Sequence, residues 1–334
     1  MSRCICKRAL SYTQNPNLEC LNEDNLHHIS LNTKMDLPGM FGNVKFVCTG
    51  GTDSRMRGFA EYIKQLIGER FPVGVELSNI SAPANRYSMY KVGPVLCVSH
   101  GMGNPSMGIL TNELIKLMHY AKCRDPVFFR IGTCGSIGHD GGTVIISDDC
   151  CDGCLRRFYS IPVLGKMLDR PAQLDKQLII DLKNVVDKND NFKVISGTTM
   201  CAEDFYEGQA RMDGPFCKFS DEDKLQFFNR LCGQGIVNIE MESTSFAALT
   251  KQAGIKACVV CVALVNRLKG DSVRAYYLSL YLNRFFFETV FLDCRAEKCY
   301  GRMAEKTSNS RRQVHKEVLG RLLLYIIYFN AFLL

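Results

Sequence analysis

The sequence predicts an α/β protein, a single-domain three-layer α/β/α sandwich around a mixed, mostly parallel central sheet. Three observations carry this prediction. From Val44 onward, short apolar runs alternate with stretches of helical spacing. Two glycine-rich segments directly follow apolar runs, where α/β proteins place their loops. The composition, 46% hydrophobic and 22% charged over 334 residues, fits a globular chain large enough to bury a sheet on both faces.

Residues 1–25 read as a polar arm, and Met1-Ser2-Arg3-Cys4-Ile5-Cys6-Lys7-Arg8 leads into no apolar signal-peptide core. Val44 to Cys48 reads as a strand, followed by the turn Thr49-Gly50-Gly51-Thr52-Asp53 and a helix over about 54–68. Residues 87–92 and 95–99 read as a hairpin, with Gly93-Pro94 as its turn. A helix is expected from about Pro105, since Met107, Leu110, Leu114, Leu117 and Met118 keep helical spacing. Val127-Phe128-Phe129 reads as a buried strand that ends in a glycine-rich turn over 130–135. Further strands are expected at 143–146, 193–198 and 257–264, with helices near 174–186, 223–232 and 242–253. Strand–helix alternation of this kind favours parallel pairing, with helices covering both faces.

Beyond Asp271 the composition changes. Twelve of the 33 Phe and Tyr residues fall in 271–334, so the domain is read as 26–271 and the rest as a divergent aromatic, apolar tail. Its last run, of about 13 residues, is shorter than the roughly 20 needed to span a bilayer, which argues against membrane contact. Three readings of this run stay open: a buried helix, an interfacial segment, or an end foreign to the domain. Residues 271–334 also hold +4 of the +7 formal charge, and the mildly basic remainder fits a small anionic substrate better than nucleic acid. Seventeen cysteines are scattered; Cys258 and Cys261 have C-x-x-C spacing but sit inside an apolar run, and the C-x-x-C of Cys151 and Cys154 offers too few ligands for zinc. Reduced thiols and a cytoplasmic location are the expectation.

Four constellations carry chemistry. Gly50-Gly51-Thr52-Asp53-Ser54-Arg55 and Arg130-Ile131-Gly132-Thr133-Cys134-Gly135 each combine flexible backbone with a guanidinium that can chelate phosphate. Neither matches a P-loop or a dinucleotide fingerprint, so bare phosphate fits better than a nucleotide. In Ile239-Glu240-Met241-Glu242-Ser243, two acids either bind sugar hydroxyls or merely complement the dipole of the next helix. In Phe205-Tyr206-Glu207-Gly208-Gln209-Ala210-Arg211, the amide of Gln209 and the guanidinium of Arg211 match the alternating carbonyl and N–H edge of uracil. Phe205 is either a stacking platform or a core residue.

These segments, with Met40 to Val47, Met89 to Val95 and Ser99-His100-Gly101-Met102-Gly103-Asn104-Pro105-Ser106, occur in an order that resembles the animal branch of the uridine phosphorylases, members of the nucleoside phosphorylase-I family. The resemblance runs from about Leu26 to Asp271. It implies the nucleoside phosphorylase-like fold and reversible phosphorolysis of uridine to uracil and ribose 1-phosphate, a pyrimidine-salvage reaction. Inorganic phosphate is then a co-substrate, and no metal or other cofactor is expected. By the resemblance, Gly51, Arg55, Arg130 and Thr133 hold phosphate, and Arg86 reaches it from the neighbouring subunit of a homodimer. Phe205, Gln209, Arg211 and Arg267 bind uracil. Glu240, Met241 and Glu242 bind ribose together with Thr133, while His28 touches it across the interface. Arg130, Gln209 and Arg211 carry the catalytic effect. Purine-cleaving relatives place an Asp near 265–267, where this chain has Val265-Asn266-Arg267, so a pyrimidine is expected.

After Asp271 the chain departs from the family pattern, which continues with a flap loop and a closing helix. A second reading attaches to that departure: a catalytically impaired uridine- or uracil-binding paralogue or splice form lacking the lid. Calorimetry showing uracil binding without turnover would favour it.

Overall fold

A computed structural model of the chain describes residues 12–272, without Arg70, Val73, Val185 and residues 187–191. The tail beyond residue 272, with its apolar final run, lies outside the described residues. Residues 12–25, read as part of a polar arm, are docked on the domain. Tyr12 is buried, and its hydroxyl donates to the Cys123 carbonyl at 2.9 Å. Asp24 accepts from Lys116 and from the Tyr120 hydroxyl at 2.8 and 2.6 Å. A short ladder of β1 (Asn25–Leu26) and β2 (Leu31–Asn32) and the helix α1 (Leu37–Phe41) then lead into the main sheet.

The first half of that sheet comprises β3 (Phe46–Gly50), α2 (Asp53–Ile67), the hairpin β4 (Met89–Val92) and β5 (Val95–Ser99), α3 (Gly103–Tyr120) and the long β6 (Val127–Ser136). There follow β7 (Val144–Asp152), a separate ribbon of β8 (Phe158–Val163) and β9 (Lys166–Pro171), and α4 (Lys176–Lys183). The described fold ends with β10 (Val194–Cys201), α5 (Asp221–Gly233), β11 (Ile236–Glu240), α6 (Ser243–Gln252) and β12 (Lys256–Asn266). The eight strands lie in the order β11-β10-β7-β12-β6-β3-β5-β4. Every residue of β3 and β5 is buried, as required of strands covered on both faces.

The sheet is mixed, as expected, and mostly parallel by pairing. β3, β5, β6 and β12 run one way, while β7, β10 and β11 run the other. It also curls. β11 bonds back antiparallel to the far end of β6, with Asn238 opposite Ser136 and Ile239 opposite Gly135. Five strands therefore close into a ring at one side of an otherwise open sheet. This closure was not legible in strand–helix alternation.

One expected turn does not exist. Arg130 to Gly135 continues β6 in register with β12 rather than forming a loop. Glycines inside a strand mark a close approach of other atoms, and two arginine side chains lie over this stretch. The ribbon β8–β9, also unforeseen, turns at Leu164-Gly165, both with positive φ as a two-residue hairpin requires. Of the C-x-x-C, Cys151 is buried in β7 with Cys150, whereas Cys154 is exposed beyond it. Among the described residues no helix is long and apolar enough to cross a membrane.

Candidate active site

The turn after β3 forms as expected. Thr52 caps α2, its side chain accepting from the Arg55 N–H, and places Arg55 in the first helical turn. Gly51 is packed from two sides. A Cβ there would stand 3.5 Å from Nη1 of Arg55 and 3.8 Å from the Gly101 carbonyl. The loops after β3 and β5 thus converge on one point, open at the N-terminus of α2.

Arg130 reaches the same region from β6 and is almost wholly buried. Its guanidinium lies over Gly132, where a Cβ would approach Cζ to 2.8 Å. Nη2 is ion-paired with Glu240 at 2.9 Å and with Glu242, and Nη1 donates to the Cys261 sulfur at 3.1 Å. Burial alone would weaken the cation, yet the two carboxylates hold its pKa well above the ordinary arginine value. They respond differently. Burial, offset in part by Arg130, pushes Glu240 up. Against its own burial, Arg130, His100 and the Gly103 N–H draw Glu242 down. Two acids share one guanidinium, so only one is fully compensated.

The structure shows the helix-start reading of these acids. Glu240 accepts from the backbone N–H groups of Glu242 and Ser243, at 2.9 to 3.1 Å, and so satisfies the start of α6. Glu242 accepts from the Gly103 N–H at 2.6 Å, at the start of α3. Met241, between them, is half-buried. Thr133 lies three residues along β6 from Arg130 and is half-buried. An odd offset on a regular strand sends side chains to opposite faces. The Thr133 side chain therefore does not share a face with the Arg130 guanidinium, which lies along the strand over Gly132.

The other half of the site stands at the far end of β6. Gly135 lies under Arg267, whose Cγ and Cδ would sit 2.8 and 2.9 Å from a Cβ there. Arg267 donates to the Gln209 carbonyl at 2.7 Å and to its side-chain oxygen at 3.4 Å. Gln209 and Arg211 are both buried. Asp213 grips the Nε and Nη2 edge of Arg211, and the guanidinium carbon stands 4.6 Å from the Phe205 ring centre. Phe205 is 45% exposed, which excludes the core reading. A small second core of Ile137, Met200, Phe228, Leu231 and Ile239 supports this half. A cavity of about 670 Å³ opens beside it, bounded by Asn104, Tyr159, Glu203, Glu207 and Gly208.

The geometry therefore sets a guanidinium end at Arg130, ion-paired with Glu240 and Glu242, and an amide–guanidinium end at Gln209 and Arg267 over the same strand. The chain from residue 45 to 275 matches the phosphorylase superfamily. It is 45% identical over 260 residues to uridine phosphorylase 1 of Mus musculus, covering 78% of this chain and 83% of that one. It is 46% identical to uridine phosphorylase 2 of Homo sapiens with the same coverage. A crystal structure of uridine phosphorylase from Schistosoma mansoni in complex with thymine superposes with a TM-score of 0.75 at 38% identity, over 81% of this chain and 94% of that one. The chain belongs to the uridine phosphorylase family.

The family's matched span ends just beyond Asp271, where the resemblance read from sequence also ends. At the position where purine-cleaving members were expected to carry an acid, Asn266 braces a loop. Its side-chain oxygen accepts from the Gly138 and Leu268 N–H groups, both at 3.1 Å. Arg267, its neighbour, points to Gln209 instead.

His28 and Arg86 do not join the pocket residues of their own subunit but share a surface patch. His28 binds Glu113 at 2.7 Å, and its ring centre lies 6.4 Å from that of Tyr87. Exposed Arg86 directly precedes Tyr87 and acts electrostatically on its hydroxyl. Two residues expected to reach a neighbouring subunit are thus gathered on one face.

Several site residues escaped the sequence reading. Asp213, two residues after Arg211, and Asp271, four after Arg267, are the acids that orient the two guanidiniums. Lys224 on α5 holds Asp271 from the other side at 2.7 Å. The acid–base spacing was visible in the sequence, but it does not distinguish a brace from a solvated charge. His100 was quoted only as part of a motif. It is buried, with Arg55, Arg130 and Glu242 acting on its ring.

Proposed function

We propose that this chain cleaves uridine with inorganic phosphate, giving uracil and ribose 1-phosphate. The observation that carries the reading is the shared strand: Arg130 and Arg267 lie over Gly132 and Gly135 of β6, with Glu240 and Glu242 ion-paired to Arg130. Phosphate is held by Gly51, Arg55, Arg130 and Thr133, with the partner subunit's Arg86 closing the pocket. Ribose lies on Glu240, Met241 and Glu242, with its 5′ end toward the partner subunit's His28. Uracil stacks on Phe205 against Gln209, Arg211 and Arg267.

Phosphate then attacks the anomeric carbon as the bond to the base lengthens, and the anion stabilises positive charge growing on the sugar. Electrons of the breaking bond move onto uracil, and the resulting anion takes up, through solvent, the proton that the attacking hydrogen phosphate gives up. Arg211 and Gln209 stabilise that charge from fixed positions, an electrostatic effect that needs no covalent intermediate. Asp213 occupies one edge of Arg211, which leaves its Nη1 edge for the base. Neither a metal nor another cofactor takes part in this scheme. The active form is a homodimer, and the cytoplasm is its place of action in pyrimidine salvage.

Phosphate-dependent loss of uridine ultraviolet absorbance with the purified full chain tests the proposal. Folded protein that leaves uridine intact in saturating phosphate overturns it. Cleavage that proceeds equally without phosphate makes the chain a nucleosidase instead.

A further inference from the structure

His100 follows β5, in the loop that meets Gly51. Its backbone is pinned on both sides: its N–H donates to the Gly50 carbonyl at 2.7 Å, and its carbonyl accepts from the Ser106 hydroxyl at 2.6 Å. The next residue, Gly101, has φ of +69°, and a Cβ there would stand 2.9 Å from the Ser106 hydroxyl, so the loop cannot relax with a side chain present. The imidazole is 2% exposed, and neither ring nitrogen has a hydrogen-bond partner among the described residues. The backbone of Gly101 acts on the ring and favours its charged form, against the burial that opposes it.

A neutral imidazole carries one donor and one acceptor, and burying either without a partner is costly. The charges acting on this ring are Glu242, Arg130 and Arg55, the groups that surround the anion-binding end. Burial and the two cations keep it uncharged at neutral pH, so it adds a directed N–H to a region already holding two guanidiniums without adding a third charge. An anion seated between Arg55 and Arg130 presents the oxygen acceptors that such a donor lacks.

We propose that His100 is a further phosphate-binding residue, its neutral ring donating a hydrogen bond to an oxygen of the inorganic phosphate held by Arg55 and Arg130. This deepens the phosphorylase reading above and rests on it for the identity of the anion. The neutral donor fixes which oxygens face the guanidiniums and which faces the sugar, a positional role that charge alone cannot perform.

The test is calorimetric titration of inorganic phosphate into the full-length protein and into H100L and H100Q variants, with uridine kinetics in parallel. H100L is expected to weaken phosphate binding roughly tenfold or more, the loss of one hydrogen bond to a charged group. H100Q, which keeps an N–H near the Nε2 position, is expected to recover part of that loss. The Michaelis constant for uridine should stay within about twofold in both. Should H100L bind phosphate within about twofold of the parent, or should uridine and phosphate weaken equally, the assignment is overturned. Retained parent folding is checked by thermal unfolding. If H100L fails to fold, an imidazole ¹⁵N resonance absent from H100Q must shift on phosphate addition to the parent, and its failure to shift also overturns the assignment. Phosphate binding by the parent without uridine turnover sinks the phosphorylase reading while leaving the His100 assignment standing. A parent that binds no phosphate sinks both.

Discussion

A Cβ on Gly135 would lie 2.8 Å from Cγ of Arg267. Arg267 cannot step aside, because Asp271 holds its Nε at 2.9 Å and the Gln209 carbonyl holds its Nη2. Gly132 stands in the same relation to Arg130. The two glycines therefore permit the two ends of the site separately. G135A should raise the Michaelis constant for uridine by about tenfold or more while leaving that for phosphate near its parent value. G132A should do the reverse. Steady-state kinetics with each substrate varied in turn decides, and equal effects on both substrates from either variant would sink the separation.

Arg130 compensates two buried acids. R130M should lower kcat/KM by about 10²-fold or more, as loss of a fixed charge at the reacting centre does. It should also destabilise the fold by about 3–5 kcal/mol, since Glu240 and Glu242 are left buried without a counter-charge. Urea unfolding of the variant checks the second effect. Adding E242Q to R130M should recover part of the stability and none of the activity.

The opposite pattern is expected at Phe205. Its ring is half-exposed and supports Arg211 by a cation–π contact at 4.6 Å. F205A should weaken uridine binding by about 1–2 kcal/mol and leave the unfolding midpoint within experimental scatter. A fall in the midpoint comparable to that of R130M would mean that Phe205 is a packing residue after all.

Acid should unfold the protein partly through His100. Burial, the largest cause, lowers its pKa from 6.5 to about 4; Glu242 opposes the shift, and Arg130 and Arg55 reinforce it. Between those values the unfolded chain takes up a proton that the native state refuses, so stability is full above pH 6.5 and falls as pH drops toward 4. The loss is on the order of 3 kcal/mol. H100Q should flatten this slope in urea unfolding measured across that pH range. An unchanged slope would assign the acid sensitivity elsewhere.

Asp271 holds Arg267 and Lys224 at once. D271N should weaken uridine binding more than phosphate binding and cost on the order of 1–3 kcal/mol in stability. Competitive inhibition by uracil offers a readout of the same effect without turnover.

Much of this architecture was legible in the sequence because its signals are local. The Gly50 to Arg55 turn declares itself through Thr52 as a cap. The spacing from Met107 to Met118 declares α3. The hairpin of β4 and β5 follows from Gly93-Pro94. What escaped was long-range. Nothing local in Arg130 to Gly135 distinguishes a glycine-rich loop from a strand whose glycines are covered by arginines distant in sequence. The return of β11 to β6 is a pairing over about a hundred residues, and the five residues of β11 are too short to announce it. Asp213 and Asp271 look like ordinary surface acids until the guanidiniums they orient are seen to be buried. His100 carries no sequence signal of its own beyond a neighbouring glycine.

The ring of five strands gives the charges around Arg130 an unusual rigidity. Glu240 ends a strand bonded on both sides, and Arg130 lies in the strand that completes the circle. Neither can drift without breaking a ladder, so the charges of this pair are already aligned before any substrate arrives. The reorganisation that solvent would undergo in each catalytic cycle is thereby carried out once, as the polypeptide folds.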